Sequence, residues 1–259
     1  MPVDQPVKQA TQVAIVTGGS RGIGRHTVMC LARRGVHSIF TYQTGEVQAH
    51  EVVALTAEAG AKAIALQLDV ADSTSFADFA RRVQASLAQL GVECFDYLVN
   101  NAGTSSNSSF YETEEAEMDA LFAVHFKSVF LLTQRLVPMM RDGGRIVNLS
   151  SGLARFAMPN RAAYGSMKAA VESLTRYMAL ELAPRKIAAN VVAPGAIATD
   201  FSGGVVRDNP QVNKLIAAQT ALGRVGLPEE VGSVIAGLLS DEFGWVNAQR
   251  IEVAGGVSI

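Results

Sequence analysis

Short apolar runs rich in β-branched residues alternate along this chain with longer segments in which apolar residues recur at helical spacing. The first run, 13–17, ends at a glycine-rich turn, and a helical pattern follows from His26 to Arg34. The same alternation predicts further strands at 36–42, 61–68, 95–99, 145–149, 187–193 and 250–253, and helices at 46–59, 73–90, 114–140, 162–183 and 229–239. Several strand runs are apolar throughout, as in parallel sheets covered on both faces. The pattern therefore predicts a three-layer α/β fold, a doubly wound parallel sheet of seven strands of the Rossmann type.

The chain has 259 residues and no internal linker, repeat or low-complexity segment, so we predict one domain over 1–259. Its polar N-terminus, 1–11, contains prolines and is predicted to be disordered or loosely packed, and it is not a signal peptide. The one long irregular stretch is 201–221, in which Gly203 and Gly204 can hinge and a helix is predicted over 212–218. Long loops beside ligand sites are often lids. We therefore predict a substrate lid here, with a mobile insertion that has no role in selectivity as the alternative.

Charge and composition narrow the possible partners. The formal net charge is −2, with acidic and basic residues interspersed, so nucleic acid is not an expected partner. No apolar run approaches the length of a membrane span, so no membrane is expected either. Cys30 and Cys94 lie in apolar segments and are expected to be buried free thiols in a reducing cytoplasm, with a disulfide as the alternative. The four histidines show no metal-ligand spacing, and no metal site is predicted.

Glycines after the first strand predict a phosphate-binding turn. The segment 18–24, GGSRGIG, lies between a predicted strand and a predicted helix. Glycine lets the backbone approach a pyrophosphate closely, and the helix N-terminus offers it free N–H groups and a partial positive charge. A flexible surface turn is the alternative. Polar or glycine-containing segments also follow other strands, at Asp69, 100–103, 150–151 and 194–195. The carboxyl ends of parallel strands form one edge of a sheet, so one extended ligand can contact all of these segments.

A tyrosine and a lysine four positions apart carry the candidate chemistry. Tyr164 and Lys168 fall on one face of a predicted helix, and Ser151 ends the preceding strand. A free phenol loses its proton near pH 10, but a neighbouring ammonium lowers the pKa of that phenol. Ser151 can hydrogen-bond a carbonyl oxygen, so the three side chains can deliver a proton to a carbonyl or remove one from an alcohol. The alternative is a chance spacing in which Lys168 only solvates the helix.

In their order and spacing these motifs resemble those of the short-chain dehydrogenase/reductase family. The matching motifs are Thr17-Gly18-x-x-x-Gly22-x-Gly24, Asn100-Asn101-Ala102-Gly103, Ser151, Tyr164-x-x-x-Lys168 and Asn190-x-x-x-Pro194-Gly195-x-Ile197-x-Thr199. The resemblance runs from Val13 to Gly256. Within the family the chain is most similar to the bacterial 3-oxoacyl-carrier-protein-reductase-like branch, a label that is also applied to enzymes with other substrates.

The resemblance implies a binding site for a nicotinamide dinucleotide. The pyrophosphate would lie on Gly18, Ser20, Gly22, Ile23 and Gly24. Asp69 and Val70 would meet the adenine. The adenosine and the adjacent ribose would meet Asn100, Ala102 and Gly103, and the nicotinamide carboxamide would meet Pro194, Gly195, Ile197 and Thr199.

The same resemblance implies the catalytic roles. Tyr164 would be the general acid in reduction and the general base in oxidation. Lys168 would lower the pKa of Tyr164 and hold the nicotinamide ribose, and Ser151 would polarise the substrate carbonyl. The family usually has an asparagine where this chain has His125. His125 either maintains a proton relay behind Lys168, with its own titration near neutral pH, or is a core substitution that weakens the relay.

The choice between NADP(H) and NAD(H) depends on charge at the end of the second strand. NAD-dependent relatives place a carboxylate there, whereas this chain has the neutral Thr41 and no carboxylate through Thr44. Arg21 in the glycine turn is placed to meet a 2′-phosphate. We therefore expect NADP(H) rather than NAD(H), with a solvated Arg21 as the alternative.

These features predict an NADP(H)-dependent oxidoreductase acting on a small-molecule carbonyl or secondary alcohol. A non-catalytic dinucleotide sensor on the same fold is the alternative, and a methyltransferase is disfavoured because its cofactor has no pyrophosphate. The predicted helices at 114–140 and 162–183 carry apolar residues on more than one face. Relatives pair such helices, so we expect a homotetramer in the cytoplasm.

Overall fold

The computed structural model describes residues 11–259, which form one seven-stranded sheet in the order β3-β2-β1-β4-β5-β6-β7. The strands are β1 (Val13–Val16), β2 (His37–Tyr42), β3 (Ala63–Gln67), β4 (Phe95–Asn100), β5 (Met140–Leu149), β6 (Ala188–Pro194) and β7 (Arg250–Val253). The helices are α1 (Gly22–Ala32), α2 (Glu46–Glu58), α3 (Phe76–Gln89), α4 (Glu115–Phe122), α5 (Ser128–Leu136), α6 (Ala162–Glu181), α7 (Val205–Asp208), α8 (Pro210–Ala218) and α9 (Pro228–Leu238). All neighbouring strands are parallel. The predicted doubly wound α/β sheet is confirmed.

Apolar residues on both faces of the sheet build two cores. Ile15 of β1 packs on one face with residues of α3, α5 and α6, whereas the adjacent Val16 packs on the other face with α1 and α9. Neighbouring residues of a strand point to opposite faces, so a strand covered on both sides must be apolar throughout. The order of strands reverses between β1 and β4. Ligands of open α/β sheets bind at the carboxyl edge beside such a reversal.

The predicted helical stretch at 114–140 is helical in the structure from Glu115 to Met139, but the type of helix changes along it. The structure divides it into α4 and α5, which are joined by one turn of π-helix, Ala123–Lys127. The helix then ends at Leu136, followed by a 3₁₀ turn that contains Pro138. Proline cannot donate the backbone hydrogen bond that a continuing helix needs. The chain therefore enters β5 at Met140 rather than at the predicted Arg145.

The segment 201–221 is more regular than predicted. A 3₁₀ turn, Phe201–Gly204, leads into α7 and α8, and α8 begins at Pro210 rather than at Val212. The side chain of Asn209 explains the earlier start, because its Oδ1 accepts hydrogen bonds from the backbone N–H groups of Gln211 at 3.0 Å and Val212 at 3.1 Å. Ser202 and Gly204 have φ values of 57° and 76°, so a sharp left-handed turn separates this segment from the sheet.

Four further expectations concern the N-terminus, the cysteines, membrane spans and metal sites. The loosely packed terminus was expected over 1–11, and residues 1–10 lie outside the described residues. Cys30 and Cys94 are free thiols, but both are half-buried rather than buried.

Contrary to expectation, the stretch Glu115–Met139 is long and apolar enough to cross a membrane, with a mean hydropathy of 1.3. A core helix passes the same test, and Leu121, Leu132 and Leu136 of this stretch are buried in the fold. Within residues 11–259 no group of three His, Cys, Asp or Glu side chains is placed to hold a metal ion.

Candidate active site

The glycine turn after β1 has a backbone path that only glycine allows. Gly18 and Gly22 have φ values of 67° and 54°. A Cβ on Gly24 would lie 2.1 Å from the carbonyl oxygen of Gly18, closer than any real contact. No side chain caps the N-terminus of α1, whose N-cap residue is Arg21. The turn therefore leaves backbone N–H groups and the positive end of α1 available to a pyrophosphate.

Residues from neighbouring strands hold the turn in place. The hydroxyl of Thr17 accepts hydrogen bonds from the backbone N–H groups of Asn101 at 2.9 Å and Ala102 at 3.0 Å. The side chain of Asn101 donates in return to the carbonyl oxygens of Thr17 at 2.8 Å and Gly18 at 3.1 Å. Thr17 and Asn101 belong to two of the motifs that carry the family resemblance, but the sequence did not indicate that they bond to each other's segments.

Two residues predicted to contact the cofactor have side chains that bond within the protein. The hydroxyl of Thr41 is buried and accepts a hydrogen bond from the backbone N–H of Gly18 at 2.9 Å, so it supports the turn. The side chain of Asn100 is also buried, where it donates to Thr133 Oγ1 at 2.9 Å and to Asn148 Oδ1 at 2.8 Å. Asn100 therefore joins β4 to α5 and β5, and its side chain does not reach a ligand at the sheet edge.

The other predicted contacts lie along the same edge. Arg21 is exposed and forms no ion pair within residues 11–259, whereas Ser20 is buried and Ile23 packs on the core beneath α1. Asp69 is exposed, and its Oδ1 accepts from the backbone N–H of Ala71 at 2.9 Å. Val70 packs against the core on the opposite face.

The segment after β6 closes the edge. The backbone N–H of Gly195 donates to the carbonyl oxygen of Val253 at 3.1 Å, directly after the buried Pro194. Thr199 is close to the glycine turn, because a Cβ on Gly22 would lie 3.5 Å from the Cβ of Thr199. Ile197 packs on the core beside α9 and pairs with Gly226. Residues from 18 to 199 therefore meet at one edge of the sheet.

The candidate catalytic residues meet at the N-terminal half of α6. Tyr164 and Lys168 are both buried, and Lys168 Nζ lies 5.7 Å from the centre of the Tyr164 ring. Lys168 Nζ donates a hydrogen bond to the carbonyl oxygen of Leu149 at 2.8 Å. The hydroxyl of Ser151 accepts a hydrogen bond from the backbone N–H of Leu153 at 3.2 Å, and it is close enough to Tyr164 to lower the pKa of that phenol. The structure thus brings the predicted Ser, Tyr and Lys together.

Burial controls the protonation of this group. It raises the pKa of Tyr164 to about 12, although the hydrogen bond with Ser151 and the charge of Arg161 act in the opposite direction. It also lowers the pKa of Lys168 to about 8. Desolvation is the largest influence on the pKa of Tyr164, and the lowering of that pKa by Lys168 stays a prediction.

Arg161 is a functional residue that sequence analysis missed. It is the N-cap residue of α6, three positions before Tyr164. Its guanidinium donates to the carbonyl oxygen of Ser106, and its charge lowers the pKa of Tyr164. Arg161 therefore links the loop after β4 to the start of α6, and the one available signal was its position one turn before the tyrosine.

His125 lies in the π-helical turn and is only 1 % exposed. Its ring packs edge-on against Tyr164, with 5.2 Å between the ring centres, and its Nε2 lies 2.8 Å from the carbonyl oxygen of Thr104. Burial, followed by the charge of Lys168, lowers the pKa of His125 to about 3. The expected titration near neutral pH is therefore wrong. With Nε2–H donating to Thr104, Nδ1 is a buried acceptor that has no hydrogen-bond partner in the described part of the chain. Gly103 leaves room for this ring, because a Cβ there would lie 2.9 Å from His125 Cε1.

Aromatic and apolar side chains border the open side of Tyr164. Phe201, from the predicted lid, has its ring centre 6.3 Å from that of Tyr164. Phe156 packs over Gly152, where a Cβ would lie 2.8 Å from its ring, and Met158 is exposed. Asn160, in the same segment between Ser151 and Tyr164, adopts a left-handed φ of 62°. Phe156, Met158 and Phe201 thus supply apolar surface near the catalytic hydroxyl groups.

A glycine-rich turn at the N-terminus of a helix and a buried tyrosine beside a lysine, at the same sheet edge, are the features expected of an oxidoreductase that uses a nicotinamide dinucleotide. Comparison with known proteins agrees. Residues 18–258 match a family model described as enoyl-(acyl carrier protein) reductase. The chain belongs to the short-chain dehydrogenase/reductase family and is an NAD(P)-dependent enzyme of that family.

Individual relatives are similar over nearly their full length. The hydroxynaphthalene reductase-like protein Arp2 of Metarhizium brunneum is 35 % identical, over 98 % of this chain and 97 % of that protein. The promiscuous reductase LugOII, which catalyses keto-reduction at C1 during lugdunomycin biosynthesis, is 36 % identical, with a TM-score of 0.91 over 96 % of this chain and 98 % of its own. The angucycline C-6 ketoreductase LanV, solved with bound NADP, is 31 % identical, with a TM-score of 0.90 over 95 % of each chain.

Proposed function

We propose that this protein is an NADP(H)-dependent carbonyl reductase, acting in reverse as a secondary-alcohol dehydrogenase, with Tyr164 as the general acid and base. The observation that carries the proposal is the proximity of three groups: Ser151 is close enough to Tyr164 to lower the pKa of its phenol, and Lys168 Nζ lies 5.7 Å from the centre of the same ring. A pure binding module has no use for a buried lysine and a buried phenol in this arrangement.

The nicotinamide, when bound, supplies or accepts the hydride. Ser151 orients the substrate by donating its hydroxyl hydrogen to the carbonyl oxygen, and Tyr164 donates its proton to that same oxygen as the alcohol forms. A pKa of about 12 keeps Tyr164 protonated at neutral pH, as a general acid must be. Lys168, with a pKa of about 8, can restore the phenol proton near neutral pH.

NADP(H) is the proposed cofactor because positive charge faces the edge beside β1 and β2. Arg21 is exposed at the N-terminus of α1, and none of the residues from Thr41 to Thr44 carries a carboxylate. A guanidinium is well suited to bind a phosphate. The NADP-bound LanV structure among the similar proteins supports this choice.

The substrate is proposed to be a flat, apolar ketone. Phe156, Met158 and Phe201 supply apolar surface beside Tyr164, and the named relatives include a hydroxynaphthalene reductase-like protein and an angucycline ketoreductase. A small-molecule ketone fits this cleft better than a carrier-protein thioester. A panel of aromatic ketones, β-keto esters, acyl thioesters, sugars and steroids ranks the candidates, and turnover of acyl thioesters alone would contradict the proposal.

The decisive test is NADPH consumption, followed by absorbance, over that panel. Wild-type protein should oxidise NADPH with at least one ketone. Tyr164→Phe should lower kcat by about 10²–10⁴-fold, since it removes only the acidic hydroxyl, and should still bind NADPH. If wild-type protein binds NADPH but turns over no carbonyl, the non-catalytic sensor becomes the better description.

A homotetramer in the cytoplasm completes the proposal. Phe122, Phe130, Tyr177 and Leu180 are exposed large apolar residues on α4, α5 and α6, and apolar helix faces favour burial between subunits. Light scattering at micromolar concentration should give four chains, and a monomer would refute the assembly.

The free thiols Cys30 and Cys94 suit a reducing compartment, and fractionation of the source cells tests that location.

A further inference from the structure

A line of charged side chains runs beneath the segment that carries Ser151. Glu172 lies on α6 one turn after Lys168, and its Oε1 accepts hydrogen bonds from Ser150 Oγ at 2.6 Å and from Arg250 Nε at 2.7 Å. The side chains of Arg250 and Glu172 are only 23 % and 14 % exposed. An ion pair withdrawn from water to this extent has a well-defined geometry when each charge is also hydrogen-bonded, as both are here.

Arg250 uses the three nitrogens of its guanidinium on three different targets. Besides its bond to Glu172, its Nη2 donates to the carbonyl oxygen of Ser151 at 3.2 Å, and its Nη1 lies 3.2 Å from Glu252. The donors of a guanidinium have fixed directions. Arg250 therefore fixes the backbone of Ser151 relative to both α6 and β7.

A second arginine fixes the other end of the same segment. Arg155 donates through Nε to Glu252 Oε1 at 3.0 Å, and its remaining nitrogens donate to the carbonyl oxygens of Ser258 and Val257, each at 3.2 Å. Glu252 thus receives both Arg155 and Arg250. The residues from Ser151 to Arg155 are bound at both ends to β7 and the segment after it.

The neighbouring strand supports only part of this segment. The backbone N–H of Ser150 donates to the carbonyl oxygen of Val192 at 2.8 Å, which continues the sheet pattern of β5 and β6. Beyond Ser150 the chain leaves the sheet and enters a 3₁₀ turn. The carbonyl of Ser151 accepts one hydrogen bond inside this turn, from the backbone N–H of Ala154 at 3.1 Å, and one from outside it, from Arg250 Nη2 at 3.2 Å. The bond that ties this carbonyl to the rest of the fold therefore comes from a charged side chain and not from β6.

We propose that the Glu172–Arg250 ion pair is the positioning device of the catalytic serine, holding the Ser151 backbone where its hydroxyl reaches both Tyr164 and a substrate carbonyl. Neither side chain touches the reacting atoms. Their role depends on the carbonyl reduction proposed above, in which Ser151 orients the substrate.

The main variant is Arg250→Met, and Arg141→Met is its matched control. Arg141 also pairs with a buried carboxylate, since Asp96 is 10 % exposed and lies 2.9 Å away, but this pair lies at the amino end of β4 and β5, remote from the active site. Both variants should lower the melting temperature. Only Arg250→Met should lower kcat with the best ketone, by about tenfold or more, because a 1 Å displacement of a catalytic group can cost ~100-fold. The dissociation constant for NADPH should change less than twofold in both.

Two readouts separate positioning from general loss of stability. Ser151 lowers the pKa of Tyr164, so moving or removing its hydroxyl should raise that pKa. In alcohol oxidation, both Arg250→Met and Ser151→Ala should therefore shift the pH midpoint of kcat upward. Lys168, Arg161 and His125, the other groups facing the phenol, are unchanged in both variants. In the Ser151→Ala background, Arg250→Met should have no further effect on kcat.

Additive effects of Arg250→Met and Ser151→Ala, or a kcat like that of Arg141→Met, would overturn the proposal. If Arg250→Met does not fold, Glu172→Gln combined with Arg250→Met removes both charges and should show the same non-additivity. Crystal structures of the variants give a result that does not need turnover: Ser151 should lie farther from Tyr164, and an unchanged distance refutes the positioning role. Absence of turnover in wild-type protein would instead count against the proposed function.

Discussion

The glycine turn and the catalytic group lie on the same sheet edge but are built in different ways. The turn is shaped by backbone geometry and short neutral side chains. Gly18 and Gly22 have positive φ values, Thr41 accepts a hydrogen bond from the turn, and Asn101 donates one to it. The catalytic group is shaped by buried charge, with a desolvated lysine, a desolvated phenol and the Glu172–Arg250 pair. The first region can be recognised from local sequence, whereas the second depends on how much of each side chain the rest of the fold covers.

The largest effect should follow from adding one methyl group to the turn. Gly24→Ala places a Cβ 2.1 Å from the carbonyl oxygen of Gly18, so the turn must open. We expect NADPH affinity to fall by about 100-fold, which corresponds to about 3 kcal/mol, while kcat at saturating cofactor changes little. Fluorescence titration measures the affinity, and Gly237→Ala, in α9, where a Cβ would lie 3.5 Å from the ring of Phe243, controls for the loss of a helical glycine without a clash. Wild-type affinity in Gly24→Ala would show that the turn does not bind the pyrophosphate.

In the catalytic region, replacing a buried charged residue should make the protein more stable. The folded-state pKa of Lys168 is about 8 instead of the usual 10.5, so the unfolded chain holds more protons between these values and stability rises with pH there. Lys168→Met removes the buried charge and should raise the free energy of unfolding at pH 7, on the order of 3 kcal/mol, while abolishing turnover. Denaturation at pH 7 and pH 10 measures this, and the gain should shrink at the higher pH. A destabilised Lys168→Met would mean that the lysine is stabilising rather than costly.

A smaller effect is expected at the exposed end of the turn. Arg21→Ala should weaken NADPH binding about tenfold, the range of one charge-assisted hydrogen bond, and leave NADH binding nearly unchanged. Paired titrations with the two cofactors measure the difference. The control is Arg25→Ala, one turn further along α1, where the arginine pairs weakly with Glu51 at 3.7 Å. Equal losses for both cofactors would contradict a contact between Arg21 and the 2′-phosphate.

The smallest effect should come from His125. With a pKa of about 3, this residue is neutral across the working range, so His125→Asn should leave the shape of the pH profile between pH 5 and pH 9 unchanged. A relay through Nδ1 predicts that kcat falls a few-fold, whereas a core role predicts a change in melting temperature alone. His125→Phe, which fills similar space without a polar atom, separates the two. An inflection near pH 6.5 that disappears in His125→Asn would contradict the neutral histidine.

Sequence was sufficient where the determining contacts are local. The turn at 18–24, the spacing of Tyr164 and Lys168 and the alternation of strands and helices each depend on residues close together in the chain, and the structure places them as the pattern indicates. The roles of Thr41 and Asn100 were not predictable in this way, because their partners Gly18, Thr133 and Asn148 come from other elements.

Protonation was also beyond the sequence. The pKa of Tyr164 and that of His125 follow from burial, which depends on packing across the whole fold. The helical stretch at 114–140 was predictable only in part. Pro138 marks its C-terminal limit in the sequence, but nothing in the apolar spacing signals the π-helical turn at His125.

The π-helical turn Ala123–Lys127 affects which insertions and deletions this part of the chain can tolerate. A π-helical turn accommodates one residue more than a regular helix does, so deleting a single codon within 123–127 can restore an unbroken α-helix. Because the π turn takes up that residue locally, the deletion would leave Leu132 and Leu136 facing the core, and its cost would fall on the packing of His125 against Tyr164. Each residue advances a regular helix by about 100°, so an insertion that the turn does not take up would rotate α5 relative to α4. Such an insertion should be tolerated less than one in the loop at 104–113, where the chain can absorb an extra residue without rotating a helix.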